Sequence, residues 1–448
     1  MISLAIGDIR NNPEYAWLHL HGEPLITGLL GSIYEPKPAP GDVVEEKINL
    51  AFKGTPAQIA SVLRRLEDMI WLGNRFTQEG VGHPHYLRLK YDDSGSYYYA
   101  RLLHARMDPA PNSLSYYARG SLGVDLIFTR PNYFDGEETA LPISNSNGAN
   151  VTTGLTLYNH DDSNFGHDNF FFVDATAFNT ELPAPIKLEL TNTTSTGVTQ
   201  DILVGSYQYN ALSGHPALIY EGESGTGGTN QADANSSGGS FKRLTWSATA
   251  WSSLLTWTVS ASNTTKFQGR AVLPLIRLAN TFAYADLQLR IVISSGGLTL
   301  YQGAAVHAEP SRGYVIFPPI RLPASALSRI LYAKAHELSI QALKISGSSY
   351  TMDVDTLHLF PLDSFSHYQA MVPLSQTDRL IDDAFAGVTH AVQSDNELAT
   401  HTPLRQGHFL SQAHSAYFHI LQTDASHTMP IARTLSAKAW YRERKRIV

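Results

Sequence analysis

The sequence predicts a mainly β protein: an N-terminal β domain with one helix, an inserted jelly-roll-like β-sandwich, and a short C-terminal β segment. Three observations predict it. Short runs alternating apolar and polar residues recur along nearly all of the 448 residues, separated by Ser/Thr/Asn/Gly clusters. Aromatic and turn-forming residues are plentiful, with 22 Tyr, 18 Phe, 33 Gly and 23 Pro. A single segment joins helical periodicity to capping signals at both ends. The length suits two to three domains with cores of their own. The expected divisions are 1–140 for the N-terminal domain, 141–180 for a linker with connecting strands, 181–365 for the sandwich and 366–448 for the C-terminal segment.

The helix is GTPAQIASVLRRLEDMIWLG, residues 54–73. Thr55 is a good N-cap, Pro56 suits the first helical position, and Gln58 completes a Thr-x-x-Gln capping box. Ile59, Val62, Leu63, Leu66 and Ile70 form one apolar stripe, and Gly73 is placed to end the helix in the left-handed conformation. Around it, EEKINLAFKG (45–54), HYLRLKY (85–91), SYYYARLLHARM (96–107), SLSYYARG (113–120) and SLGVDLIFTR (121–130) read as strands.

Beyond the acidic turn NYFDGEE the chain is polar and loop-like, until NFFFVDA (169–175). In TELPAPIKLELTNTT (180–194) two prolines precede Ile186, Leu188 and Leu190, one face of a strand. Strands then recur to about residue 360, the spacing of a jelly-roll-like sandwich. The polar stretch ESGTGGTNQADANSSGGS (223–240) reads as a mobile loop between strands. In the tail, YFHILQT (417–423) and TLSAKAWYRERKRIV (434–448) read as strands, with Arg442, Arg444, Lys445 and Arg446 facing water or a neighbouring subunit.

Composition narrows the chemistry. With no cysteine there is no disulfide, thiol nucleophile or Cys-ligated zinc. A net charge of −7 gives no reason to expect a nucleic-acid binder. No apolar run approaches the ~18–20 residues that span a bilayer. The opening MISLAIGDIRNNPEYAW lacks the basic region and apolar core of a signal peptide, so a soluble chain is expected.

Each constellation of reactive residues has a plainer reading. In DLIFTRPNYFDGEE (125–138), Asp135, Glu137 and Glu138 are too close in sequence to form the opposed walls of a glycosidase cleft, and a solvated turn accounts for them. His19/His21 and His83/His85 are His-x-His pairs on predicted strands, which puts both rings of a pair on one face and can start a metal site. AHELSI (335–340) lacks the second histidine of a zinc-protease motif. NHDDSNFGHDN (159–169) resembles a calcium loop in composition but not in EF-hand spacing; a turn with Asx-type self-bonding is the alternative. Trp246, Trp251 and Trp257 could stack on sugar rings, although Leu255, Trp257 and Val259 share a strand face suited to a core. The sequons at Asn150, Asn192, Asn235 and Asn263 matter only on a eukaryotic secretory route. No Gly-x-Ser-x-Gly elbow or phosphate-binding Gly-Lys-Ser/Thr occurs. No catalytic, cofactor-binding or metal-ligating residue is assigned, and no cofactor is expected.

LIFTRPNYFDGEE resembles the seam of phage tail proteins of the distal-tail type: a strand ending in Thr-Arg, a proline, aromatics and an acidic-glycine turn. TELPAPIKLELTN is similar to the entry strand that follows it in that group, and AWYRERKRIV to the closing strand. Asn132 and Phe134 depart from the pattern, Phe134 standing where tryptophan is more typical. The resemblance implies a non-enzymatic virion component, made in the host cytoplasm, whose copies form a ring (a hexamer or trimer) around the tail channel between tube and tip. It implies other tail proteins as partners, an outward sandwich touching host-surface glycans, no membrane span and no sequence-specific nucleic acid. A carbohydrate-binding adhesin, a tail tube subunit and a glycan-degrading enzyme are the alternatives. On the seam reading, Pro131 stops the strand pairing, Tyr133 and Phe134 plug the junction, and the acids are solvated.

Overall fold

A computed structural model describes residues 3–9, 17–22, 28–34, 36, 41–91, 95–109, 120–147, 150–195, 197–209, 218–266, 271–282, 286–321, 335–347, 349–394, 396–397, 402–403 and 407–446. Most of the strand expected over 113–120 lies outside them. The fold is mainly β, built from several antiparallel sheets, and the chain divides into two compact units. The first comprises 1–139, 179–185 and 441–448; the second comprises 140–178 and 186–440. The expected linker 141–180 and C-terminal segment 366–448 thus fall largely into the second unit, together with the sandwich. The reason is pairing: Ser364–Leu374 and Ser415–Gln422 flank Thr199–Tyr209 on its two sides.

In the first unit a four-stranded sheet runs Leu29–Ile33, Val43–Lys53, Ser121–Pro131, His104–Pro109. Val43–Lys53 alternates strictly between exposed and buried, as its sequence predicts. A second sheet runs Trp17–His21, Ser3–Gly7, Tyr86–Lys90, Tyr98–Arg101 and then Phe134–Leu141. Apolar faces of both sheets share one core with the helix, including Leu4, Leu18, Ile48, Leu50, Phe52, Leu87, Leu126 and Phe128.

The helix, Pro56–Glu79, starts as expected. Gln58 N–H donates to Thr55 Oγ1 at 3.3 Å, and Thr55 N–H donates to Gln58 Oε1 at 2.9 Å. It does not stop at Gly73 but runs on to Gly80, the left-handed cap with φ 69. Gly73 is instead a contact residue, where a Cβ would lie 3.2 Å from the Cβ of His85. The buried stripe extends past it to Phe76, so burial continues the helix where backbone preference alone would end it. Each large side chain of that stripe contributes about 1.5–3 kcal/mol.

In the second unit two antiparallel sheets form the sandwich. One runs Thr229–Ala232, Ser240–Trp246, Tyr350–Pro361, Ala271–Leu278, Tyr314–Ile316; the other runs Ser252–Val259, His336–Lys344, Leu287–Ser295, Leu298–Gln302. Their inner faces meet in a core that contains Trp246, Leu255, Trp257, Ile276, Ile291, Ile340, Met352 and Leu357. A further sheet, Phe170–Val173, Ser415–Gln422, Thr199–Tyr209, Ser364–Leu374, adds Phe170, Tyr207 and Tyr417 to the same core. Residues 223–240 are not the expected loose loop. Thr229–Ala232 pairs with Ser240–Trp246, and Ser236 and Ser237 are buried, tied by the bond from Ser237 N–H to Asp355 Oδ1 at 3.0 Å. Polar backbone-to-side-chain bonds hold this segment where no apolar residue could signal order. Among the described residues, no helix is long and apolar enough to cross a membrane.

Candidate functional site

The stretch 125–138 divides at Pro131. Strand Ser121–Pro131 alternates in burial, so Leu126, Phe128 and Arg130 point to the core. Pro131 pairs with Val43 at the last step of the ladder. Arg130 is therefore buried, and it grips Glu46 of the facing strand through two bonds, Nε to Oε2 at 2.7 Å and Nη2 to Oε1 at 2.8 Å. The Tyr34 hydroxyl donates to Glu46 Oε2 at 2.5 Å, and the Phe134 ring lies 4.2 Å from the guanidinium. Burial first, then the Glu46 charge, push the Tyr34 hydroxyl far above its ordinary pKa, so it serves as a neutral donor. This is a satisfied buried fork, a structural element rather than a reactive one.

Asp135 corrects the expectation of solvated acids: it is 4% exposed. Arg444 reaches it from the closing strand, Nε to Oδ1 at 2.7 Å and Nη2 to Oδ2 at 3.1 Å, with the guanidinium 3.7 Å from the Tyr133 ring. Burial raises the Asp135 carboxyl above the usual range, opposed by Arg444. Glu137 and Glu138 are exposed as expected; Arg442 lies 3.6 Å from Glu138. The C-terminal cations therefore do not simply face water or a subunit. Arg442 and Arg444 tie down the seam, and Lys445 pairs with Glu443 at 3.0 Å. Phe134 is buried in the core of the first unit.

The paired histidines do not assemble. His19 is buried while His21 is half-buried, and His83 and His85 precede the strand Tyr86–Lys90 instead of lying on it. Trp246 and Trp257 are core residues, and Trp251 is half-buried with Arg290 4.1 Å from its ring. The sequon residue Asn192 is buried. The loop after Leu155–Tyr158 does show Asx bonding: Asp161 Oδ1 accepts from Ser163 N–H at 3.1 Å and Ser163 Oγ at 2.6 Å. Burial would raise the Asp161 carboxyl, but the Ser163 and Asn164 donors outweigh it and hold it below the usual range.

The same loop supplies part of a metal-compatible cluster. His160, Asp162 and Glu221 offer ligand atoms that lie within 4.8 Å of one another. Beneath the loop, fully buried Arg277 donates to Asp355 Oδ2 at 2.9 Å and to the carbonyls of Asn159 and His160. Beside it, Thr356 Oγ1 lies 2.8 Å from His358 Nε2, and His358 Nδ1 lies 3.1 Å from His419 Nε2. Burial, then neighbouring positive charge, hold both imidazoles neutral, His419 down to about 3. Sequence reasoning missed this network, because Tyr350–Pro361 and Ser415–Gln422 are buried on both faces. A histidine between leucines was the available signal.

Elsewhere on the second unit, His307, Glu309, Arg312, Tyr314, His367 and Gln369 line a polar groove. Asp201, fully buried behind it, accepts from His427 Nδ1 at 2.7 Å. On the first unit, Leu30 and Ile33 are 63% and 70% exposed on the edge strand Leu29–Ile33, with Val43 50% exposed on the neighbouring strand.

No family model and no curated protein matches the chain. Solved structures similar to it include an exo-β-1,3-galactanase from Phanerochaete chrysosporium with β-1,3-galactotriose, at 11% identity, 72% of this chain, 84% of that one and a TM-score of 0.20. The VP2 subviral particle of infectious bursal disease virus is similar at 8% identity, 92% and 83% coverage and a TM-score of 0.17. Likenesses this weak carry neither activity nor assembly from those proteins to this chain.

Proposed function

We propose that this chain is a non-enzymatic structural subunit of a bacteriophage tail, of the distal-tail type, whose copies close into a ring around the tail channel between tube and tip. One observation carries the reading: the four passages between the two units fall within or next to the three motifs of the resemblance. The chain leaves the first unit at 139/140, just after FDGEE; it re-enters it at 178/179, just before TELPAP; it passes back into the second at 185/186, inside LPAPIK; and it returns at 440/441, inside AWYRE. A β domain interrupted by a sandwich and completed by a returning strand is the order those motifs imply.

The exposed edge supports self-association. Among the described residues Leu29–Ile33 is paired on one side only, and it carries Leu30 and Ile33 into solvent. Such an edge accepts a strand or an apolar face from another copy, and heterologous contacts of that kind close into rings. Negative-stain imaging of the purified full chain tests the proposal. Rings with a central hole are the expected result, and uniform single particles of monomer size would sink it.

A second reading, carbohydrate binding, rests on the polar groove around Arg312 and Tyr314. Binding to a glycan array that is lost in Arg312→Ala supports it, and an array without signal removes it.

A further inference from the structure

We propose that His160, Asp162 and Glu221 bind one divalent transition-metal ion of the zinc or manganese class, pinning the 159–164 loop to the strand Ile219–Glu221. The three ligand atoms already lie within 4.8 Å of one another, and they come from segments distant in sequence. His160 Nε2 stands 2.8 Å from Glu221 Oε1. Two ligands on one tetrahedral zinc are separated by about 3.3 Å, so a small opening of this contact admits an ion.

The frame around the cluster is fixed by groups that are not ligands. Arg277 holds the His160 carbonyl at 3.1 Å, and Ser237 Oγ accepts from Asp162 N–H at 3.0 Å. Glu221 continues the ladder with Tyr350–Pro361, opposite Thr356. Ligand positions set by a rigid second layer are what metal sites need.

Separately from the cluster geometry, inaccessible polar atoms point to a bound cation. Glu221 Oε2 and Glu223 Oε2 are both inaccessible to solvent and have no hydrogen-bond partner among the described residues. Buried carboxylate oxygens in that state are rare in native proteins and call for an ion or an ordered water. Both glutamates border Gly238, where a Cβ would stand 2.6 Å from Glu223 Oε1 and 4.0 Å from Glu221 Oε2. Glycine keeps that space open. Arg277, the adjacent cation, gives Nε to Asp355 and Nη1 to the carbonyls of Asn159 and His160, and its Nη2 has no partner among the described residues.

The imidazole among the donors selects against calcium and magnesium, which take oxygen ligands, and suits zinc, while the two carboxylates also admit manganese. Three protein ligands leave a further position for water on the side of exposed Asp162.

The test is calorimetric titration of the chelator-treated full chain with Zn²⁺, Mn²⁺ and Ca²⁺, alongside His160→Ala and Glu221→Gln. The expected result is one equivalent of Zn²⁺ or Mn²⁺ per chain, weakened roughly 100-fold in either variant, the upper end of what even supporting residues cost at such sites. Deuterium exchange of 159–164 and 219–223 should slow on adding the metal to the unmodified chain, a readout independent of how the variants fold. The proposal is overturned by no saturable binding, by binding unchanged in His160→Ala, or by Ca²⁺ binding tighter than Zn²⁺ and Mn²⁺.

Discussion

Arg444→Ala is the sharpest perturbation of the seam. It removes both bonds to Asp135, at 2.7 and 3.1 Å, and the guanidinium 3.7 Å from the Tyr133 ring. Asp135 is 4% exposed, so its carboxylate is left without its counter-charge and with little access to water. Breaking a buried pair from one side costs about 3–5 kcal/mol, and the lost ring contact adds roughly 1 kcal/mol. The exposed Arg75–Glu79 pair, with side chains 39% and 56% accessible, contributes only about 0.3–0.5 kcal/mol and is the control. Global denaturation of two units need not be two-state, so the assay is native-state hydrogen exchange read on 121–131 and 134–139. At tenfold per 1.4 kcal/mol, the summed cost of about 4–6 kcal/mol should accelerate exchange there on the order of 700- to 20,000-fold. Replacing both partners, Asp135→Leu with Arg444→Met, should recover most of the loss, because no buried charge remains. A cost below about 1 kcal/mol for Arg444→Ala would refute the reasoning, since Asp135 would then be solvated after all.

Three further outcomes follow from the same structure. His358 and His419 are held neutral, so their share of stability is fully present above the ordinary histidine value of 6.5 and is lost as pH falls below it, for His419 down to about 3. At pH 5 His419 alone should cost the second unit about 2 kcal/mol, with His358 acting in the same direction, read as an exchange or denaturant midpoint at pH 7 against pH 5; a pH-independent midpoint contradicts it. Leu66→Ala, at a fully buried position of the helix stripe, should destabilise the first unit by about 2–5 kcal/mol in the same exchange assay. Thr55→Ala removes the capping-box hydroxyl and should cost ~1 kcal/mol, with faster exchange confined to the first turn of the helix.

Local rules made much of the fold legible. Thr55, Pro56 and Gln58 announce a helix start through groups three residues apart, and period-two runs such as Val43–Lys53 display the face they bury. What was hidden depends on partners distant in sequence. Asp135 and Arg444 are 309 positions apart, so an acid in a turn-like motif looks solvated until the closing strand arrives. Gly73 looks like a terminator until His85 packs on it. The polar composition of 223–240 reads as mobile because its order comes from hydrogen bonds such as Ser237 to Asp355, which leave no apolar trace. The metal-compatible cluster was half legible: His160 and Asp162 stood in a loop already marked for its oxygen donors, and Glu221 lay 61 residues beyond His160 with no motif to connect them.

The central claim is that this molecule works by binding copies of itself through the first unit. Sedimentation equilibrium of the full chain, compared with Ile33→Glu on the exposed edge, tests it most directly. A closed oligomer of several 49.2 kDa chains that falls to monomer in the variant is the expected result. A monomer at every concentration, or an oligomer indifferent to Ile33→Glu, would contradict it.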